Sequence, residues 1–165
     1  LIHEDAARAE TMTLQLSQLF RYTLNKQEAN FIPVSEEINI ARTYLEIEKV
    51  RFGERIYFNV AADAAIMNEL IPRFLLQPLV ENALKHGLKD CTEKGRLDVK
   101  LADLGDRIGI TVSDNGSAFP AELITGYGLQ STYDKLALLY GENYKLTLNN
   151  QPKQVVIELP KKQQA

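Results

Sequence analysis

The sequence predicts an α/β fold of the α+β kind, a two-layer sandwich whose mixed, mostly antiparallel sheet carries its helices on one face and is preceded by N-terminal helices. Three observations predict it. The first third of the chain is patterned for helices, with apolar residues recurring at helical spacing. Later stretches, among them Leu97-Asp98-Val99-Lys100-Leu101 and Ile108-Gly109-Ile110-Thr111-Val112, alternate or are rich in β-branched residues, as half-buried strands are. Some connections between these strands are tight turns and others contain helices, so the sheet is mixed and the fold is not doubly wound.

A chain of 165 residues with 45% hydrophobic content is sized for one globular domain with a helical extension. Its net charge of -3, with both signs scattered along the chain, offers no basic stripe for a nucleic-acid backbone. The single cysteine, Cys91, cannot pair internally, and two histidines argue against a zinc site. No apolar run reaches the roughly 20 residues of a membrane span, so direct membrane contact is not expected. The chain opens inside a helical pattern without Met, and the expectation is a piece of a longer protein.

A first helix is expected from Asp5 to about Gln27, with Met12, Leu16, Leu19, Phe20 and Thr23 on one stripe. It either packs on the domain or forms the lower end of a paired dimerisation element. The expected division is residues 1–30 for this dimerisation and linker helix and residues 31–165 for the domain. Pro33 breaks the pattern, and Ser35 with Glu36 and Glu37 reads as an N-cap with an acidic first turn. The second helix runs to about Phe52 and stops at Gly53, turning Ile38, Ala41, Leu45 and Phe52 to the core.

Arg55 to Val60 reads as a strand. Leu70-Ile71 reads as a link to a helix from Pro72 to His86, in which Pro78 is expected to remove a hydrogen bond and bend the axis. Leu97–Leu101 and Ile108–Val112 then read as a hairpin joined by a turn around Gly105-Asp106, followed by a helix from Leu129 to about Tyr140 ended by Gly141. Two strands, Tyr144–Leu148 and Val155–Leu159, close the chain.

Three stretches carry candidate chemistry. In the first, Asn82, Lys85 and His86 lie at i, i+3 and i+4 and share one helical face, with Glu81 placed to pair with Lys85. The same residues also fit an ordinary helix end, with Lys85 and His86 answering the macrodipole and Gly87 as the stop. The second is Asp114-Asn115-Gly116 at a strand end: a carboxylate able to accept from an exocyclic amino group, beside a glycine that permits close approach. The third is Gly126-Tyr127-Gly128-Leu129, opening a helix with free backbone N–H groups for an anion. A nucleotide asks for these groups: an acceptor for its base, donors and positive charge for its phosphates, and an oxygen ligand for Mg²⁺.

Taken in this order, the stretches resemble a known family. Leu76 to Gly87 resembles the N box of GHKL-type ATPases in the form found in LytS-like sensor histidine kinases. Asp114-Asn115-Gly116 is similar to their first glycine box and Gly126-Tyr127-Gly128-Leu129 to their second. Pro33–Glu37 and Tyr44–Gly53 resemble the linker of that subfamily.

The resemblance implies an ATP-binding kinase domain that uses ATP and Mg²⁺. Asn82 would coordinate the metal, and Lys85 and His86 would face the phosphates. Asp114 would hold the adenine, and Gly116, Gly126, Gly128 and Leu129 would shape the pocket beneath a lid from Ser117 to Thr125. The γ-phosphoryl group would pass to a histidine upstream of Leu1, because neither His3 nor His86 sits in an acceptor motif, and then to a response regulator. The whole protein would be a homodimer through its N-terminal helices, with this part cytoplasmic and anchored to the inner membrane by other segments.

The alternative is a degenerate signalling module of the same fold with little ATP binding. Ala118 stands where a second glycine is usual and would strain a left-handed backbone there. Ser131 replaces a common Asn, and Lys153-Gln154 replaces a usual Gly-Thr. Pro78 occupies the position at which hydrolytic relatives such as gyrase carry a general-base Glu, which favours transfer to a protein group over transfer to water.

Overall fold

Alternation of apolar and polar residues sets the sheet. In the computed structural model, which describes residues 2–24, 30–88, 94–120 and 129–162, five strands pair in the order β2 (Ile56–Ala62), β4 (Gly95–Asp103), β5 (Arg107–Asp114), β7 (Lys153–Pro160), β6 (Lys145–Asn150). β2 runs parallel to β4, and the other neighbours are antiparallel. Directly paired residues share a face, and the register places Val60, Val99, Val112 and Val155 in one row. Leu101, Ile110 and Ile157 make the next, and all seven are buried. The opposite face is polar and wet, with Arg96, Lys100 and Thr147 on it.

Helices cover the apolar face only. α2 (Val34–Phe52) contributes Ile38, Ala41 and Leu45; α3 (Leu76–Asn82) contributes Leu76, Leu79 and Val80; α4 (Gln130–Tyr140) contributes Leu136, and all join one core cluster with the inner strand residues. This is the expected mixed two-layer sandwich. α1 (Ile2–Leu24) lies outside that core and packs on α2, where Gln15 Nε2 donates to Glu46 Oε2 at 2.7 Å. Leu14 and Leu16 on α1 are exposed. The side chains of Leu19, Phe20 and Thr23 fall outside the described residues.

Several local expectations are corrected. Ser35 is not the N-cap of α2: Pro33 holds that position, and the first-turn amides of Val34 and Ser35 donate to the carbonyls of Glu69 (2.9 Å) and Met67 (3.1 Å). A neighbouring loop satisfies the orphan donors, so no capping side chain is required. Leu70–Pro72 is not a link but a strand, β3, paired antiparallel with β1 (Phe31–Pro33) in a separate ribbon.

The next helix does not begin at Pro72. The chain turns through Arg73 and Phe74, the latter at φ 62°, and α3 starts at Leu76. Pro78 is therefore the third helical residue, where an amide has no partner one turn back, and the expected lost hydrogen bond does not arise. After Asn82 the helix widens into a π-helical turn over Ala83–Gly87, closed by Leu88 N donating to Ala83 O at 3.0 Å.

Candidate nucleotide site

Asp114 and Lys153 reach the same spot because of strand periodicity. Ile108, Ile110 and Val112 face the core along β5, so the next residue in that phase, Asp114, also faces inward at the strand's end. Lys153 begins β7 in phase with the buried Val155, Ile157 and Leu159. β5 and β7 are antiparallel neighbours with Ser113 opposite Gln154, so the two charges meet at one end of the sheet.

Their ion pair is 2.8 Å long, with the side chains of Lys153 and Asp114 only 8% and 4% exposed. Asp114 Oδ1 also accepts from Gly116 N at 2.8 Å. Among the described residues no hydrogen bond to Oδ2 is present. A buried carboxylate without a counter-charge is costly, and Lys153 removes most of that penalty.

Two glycines seal the arrangement. A β-carbon on Gly87 would lie 2.6 Å from Asp114 Oδ1 and 2.7 Å from Lys153 Nζ. A β-carbon on Gly116 would lie 1.8 Å from the carbonyl oxygen of Gly87, which accepts from Ser117 N at 3.2 Å. What presses on Gly116 is thus the backbone that ends the π turn, whereas the sequence pattern had suggested room for a ligand.

Above the pair lies a pocket enclosing ≈ 470 Å³ of empty space, open solvent at its mouth included. Leu79, Val112, Leu129 and Val155 are among its apolar lining, and Asn82 and His86 stand on its wall with Asp114 and Lys153. Phe119 closes one side: Lys153 Nζ lies 4.8 Å from its ring centroid. Asn150 holds its backbone, accepting from Phe119 N at 2.8 Å and donating to Phe119 O at 3.4 Å.

The structure thus brings Asn82, His86, Asp114 and Leu129 to one pocket. Lys85 is exposed and does not line it, because winding of the π turn breaks the i, i+3, i+4 alignment of an ideal α-helix. Gln77 Nε2, not Lys85, bonds Glu81, at 3.2 Å. Gly126 and Gly128, and the lid beyond Pro120, lie outside the described residues. Ala118 lines the pocket without the expected strain, since Phe74 is the one non-glycine residue of positive φ among the described residues.

Sequence reasoning missed two residues. Lys153 reads in the sequence only as a replacement for a usual Gly, although its phase with Val155, Ile157 and Leu159 marks it as core-facing. Glu37, read as a helix-start charge, is 2% exposed, and its carboxylate accepts from Phe74 N (2.7 Å) and Leu76 N (3.2 Å), anchoring the start of α3. No local pattern distinguishes it from Glu36.

The family model described as histidine kinase-, DNA gyrase B-, and HSP90-like ATPase matches residues 67–163, and a histidine kinase model matches residues 1–56. The chain is 29% identical over 169 residues to the sensor histidine kinase BtsS of Escherichia coli K12, covering 100% of this chain and 30% of that protein. It is 30% identical over 173 residues to the sensor protein LytS of Oceanobacillus iheyensis, covering 96% of this chain and 30% of that protein.

The chain therefore spans about a third of the length of these relatives. The catalytic domain of histidine kinase ThkA superposes with a TM-score of 0.60 at 20% identity, over 81% of this chain and 96% of that one. ThkA in complex with the response regulator TrrA matches with a TM-score of 0.57 at 18% identity, over 98% of this chain and 49% of that one.

Proposed function

We propose that this chain, which belongs to the family of histidine kinase-, DNA gyrase B-, and HSP90-like ATPases, is the ATP-binding kinase domain of a two-component sensor histidine kinase. The observation that carries the reading is Asp114: an inward carboxylate at the floor of an apolar pocket, with one oxygen held by Gly116 and Lys153 and the other without a donor among the described residues. That free oxygen suits the exocyclic amino group of adenine. The apolar side chains Leu79, Val112, Leu129 and Val155 suit the faces of its rings.

Asn82 and His86 stand on the pocket wall, where a neutral amide oxygen can serve as a Mg²⁺ ligand and an imidazole can donate to a phosphate oxygen. An ion held by Asn82 would supply charge neutralisation to the phosphates. Lys85, exposed just beyond Asn82, would serve as a cation for phosphates that extend from the pocket mouth. No carboxylate occupies the position of Pro78, one turn before Asn82, and a proline cannot deprotonate water. That argues against water as acceptor, and the likeness to sensor histidine kinases assigns the role to a histidine nitrogen upstream of Leu1. Its N–P bond forms as the bond from the γ-phosphorus to the β,γ-bridging oxygen breaks, and ADP leaves.

The remaining steps belong to the whole protein: pairing of two copies through α1 and its preceding sequence, transfer to a response-regulator aspartate, and attachment to the inner membrane by segments elsewhere. Among the described residues no helix is long and apolar enough to cross a membrane. The similarity to ThkA, which has been captured with a response regulator, supports that partner class.

Calorimetric titration of the chain with Mg-ATP tests the nucleotide assignment. Binding in the micromolar to sub-millimolar range is expected, and Asp114→Asn should weaken it by roughly tenfold or more through loss of a charge-assisted hydrogen bond. A folded chain that gives no heat at millimolar Mg-ATP would instead be the degenerate signalling module. For the full-length protein, incubation with γ-labelled ATP should give an acid-labile phosphoryl adduct that a response regulator removes. An unlabelled protein would refute the kinase assignment.

A further inference from the structure

Lys153 stands beside Asp114 on the pocket floor, and what it does to a bound base rests on the nucleotide reading of this pocket. Its ammonium spends one N–H on Asp114 Oδ1, 2.8 Å away, and faces the ring of Phe119 at 4.8 Å. Asp114 Oδ1 takes two donors, Lys153 Nζ and Gly116 N, and Oδ2 is left as an acceptor. Both side chains line the pocket. The floor is therefore an acceptor and a donor side by side, locked together by a buried ion pair. A carboxylate alone would be purely an acceptor.

We propose that Lys153 is a base-specificity residue, and that the Asp114–Lys153 unit admits 6-oxo purine nucleotides, the guanine and hypoxanthine class, alongside 6-amino purines. A carboxylate by itself accepts from the 6-amino group of adenine and repels the oxygen that guanine or hypoxanthine presents at the same ring position. With Lys153 beside it, the base shifts by one hydrogen-bonding position. Its N1–H then donates to Asp114 Oδ2, and its O6 accepts from Lys153 Nζ. The ion pair also makes the floor nearly neutral overall, so an uncharged base seats without leaving a bare carboxylate beneath it.

The geometry is rigid enough to act as a selector. A β-carbon at Gly87 would collide with either charge, so the chain there closes over the pair. Asn150 fixes the Phe119 backbone that flanks Lys153. A swing of the ammonium away from Asp114 would have to abandon both the ion pair and the aromatic ring.

Displacement of a fluorescent ATP analogue from the 165-residue chain by ATP, ITP and GTP, each with Mg²⁺, tests this. On the native chain, ITP is expected within about tenfold of ATP. ITP reads the 6-oxo group without the 2-amino group, and GTP adds that group. Lys153→Met should shift the ATP-to-ITP preference toward ATP by at least about tenfold, the usual weight of a hydrogen bond to a charged group. Lys153→Arg, which keeps the donor, should restore ITP.

ITP and GTP both more than about a hundredfold weaker than ATP on the native chain would overturn the inference and leave the ATP assignment standing. An unchanged ATP-to-ITP ratio in Lys153→Met would do the same. If circular dichroism shows the methionine variant unfolded, the native ITP-to-ATP ratio decides alone. A folded chain that binds none of the three removes the nucleotide reading and this inference together.

Discussion

Gly87 and Gly116 owe their identity to space at a contact, since neither has a positive φ. Gly87 lets the end of the π turn rest on the Asp114–Lys153 pair, and Gly116 lets the loop after β5 pass under the Gly87 carbonyl. A methyl group on Gly116 would sit 1.8 Å from that oxygen, so one of the two backbones must move. Gly116→Ala should therefore destabilise the chain by on the order of 3 kcal/mol in urea unfolding and abolish Mg-ATP binding. A variant of native stability would show that the loop relaxes at little cost. Asp114 and Gly116 were legible in the sequence as a carboxylate and a glycine at a strand end. The role of Gly87 was not, because a glycine after a helix reads equally as a C-cap.

At the scale of elements, α3 and its π turn connect the site to the core. Leu76, Leu79 and Val80 bury one side of α3, and Asn82 ends it at the pocket. Its N-terminus is held from α2, by the two hydrogen bonds that Glu37 accepts from Phe74 N and Leu76 N. Lys135 on α4 donates to Arg73 O in the same turn, and its burial lowers the Lys135 pKa, partly offset by the charge of Glu37.

Two substitutions separate these roles. Glu37→Ala strands two amides in a buried turn and should cost about 3 kcal/mol in thermal or urea unfolding. Pro78→Ala should change stability by less than about 1 kcal/mol, in the destabilising direction, because the ring stiffens the unfolded chain and breaks no native hydrogen bond. A gain of about 3 kcal/mol from Pro78→Ala would instead mark a true helix-interior proline. The strands and long helices were legible because their periodicity is local. The β1–β3 ribbon was not, since three-residue strands that each contain a proline carry no periodic signal, and the helix start at Leu76 depends on a residue 39 positions earlier.

Across the whole molecule, the distant ends of the domain meet at a cluster of rings. Phe31, opening β1, meets Tyr140, closing α4, edge to face with centroids 6.1 Å apart, and Lys162 near the C-terminus places Nζ 3.5 Å from the Phe31 centroid. Burial pushes the Tyr140 phenol up from its ordinary 10.0 to about 12. Burial also raises Tyr133, and burial together with Glu48 and Glu81 raises Tyr44. A raised folded-state pKa means that the native fold holds the proton more tightly than the unfolded chain does. The stabilisation is then fully present below pH 10 and is lost as pH rises through the folded value.

Tyr140 is partly solvated, so its share is on the order of 1 kcal/mol once screening is allowed for. Unfolding free energies measured by urea between pH 9 and 12 should fall with pH. Tyr140→Phe, which keeps the ring and removes the ionisable group, should flatten part of that slope while leaving neutral-pH stability within about 1 kcal/mol. If the native and Tyr140→Phe slopes coincide, the Tyr140 phenol adds nothing to the loss at high pH, which then belongs to other groups, Tyr44 and Tyr133 among them.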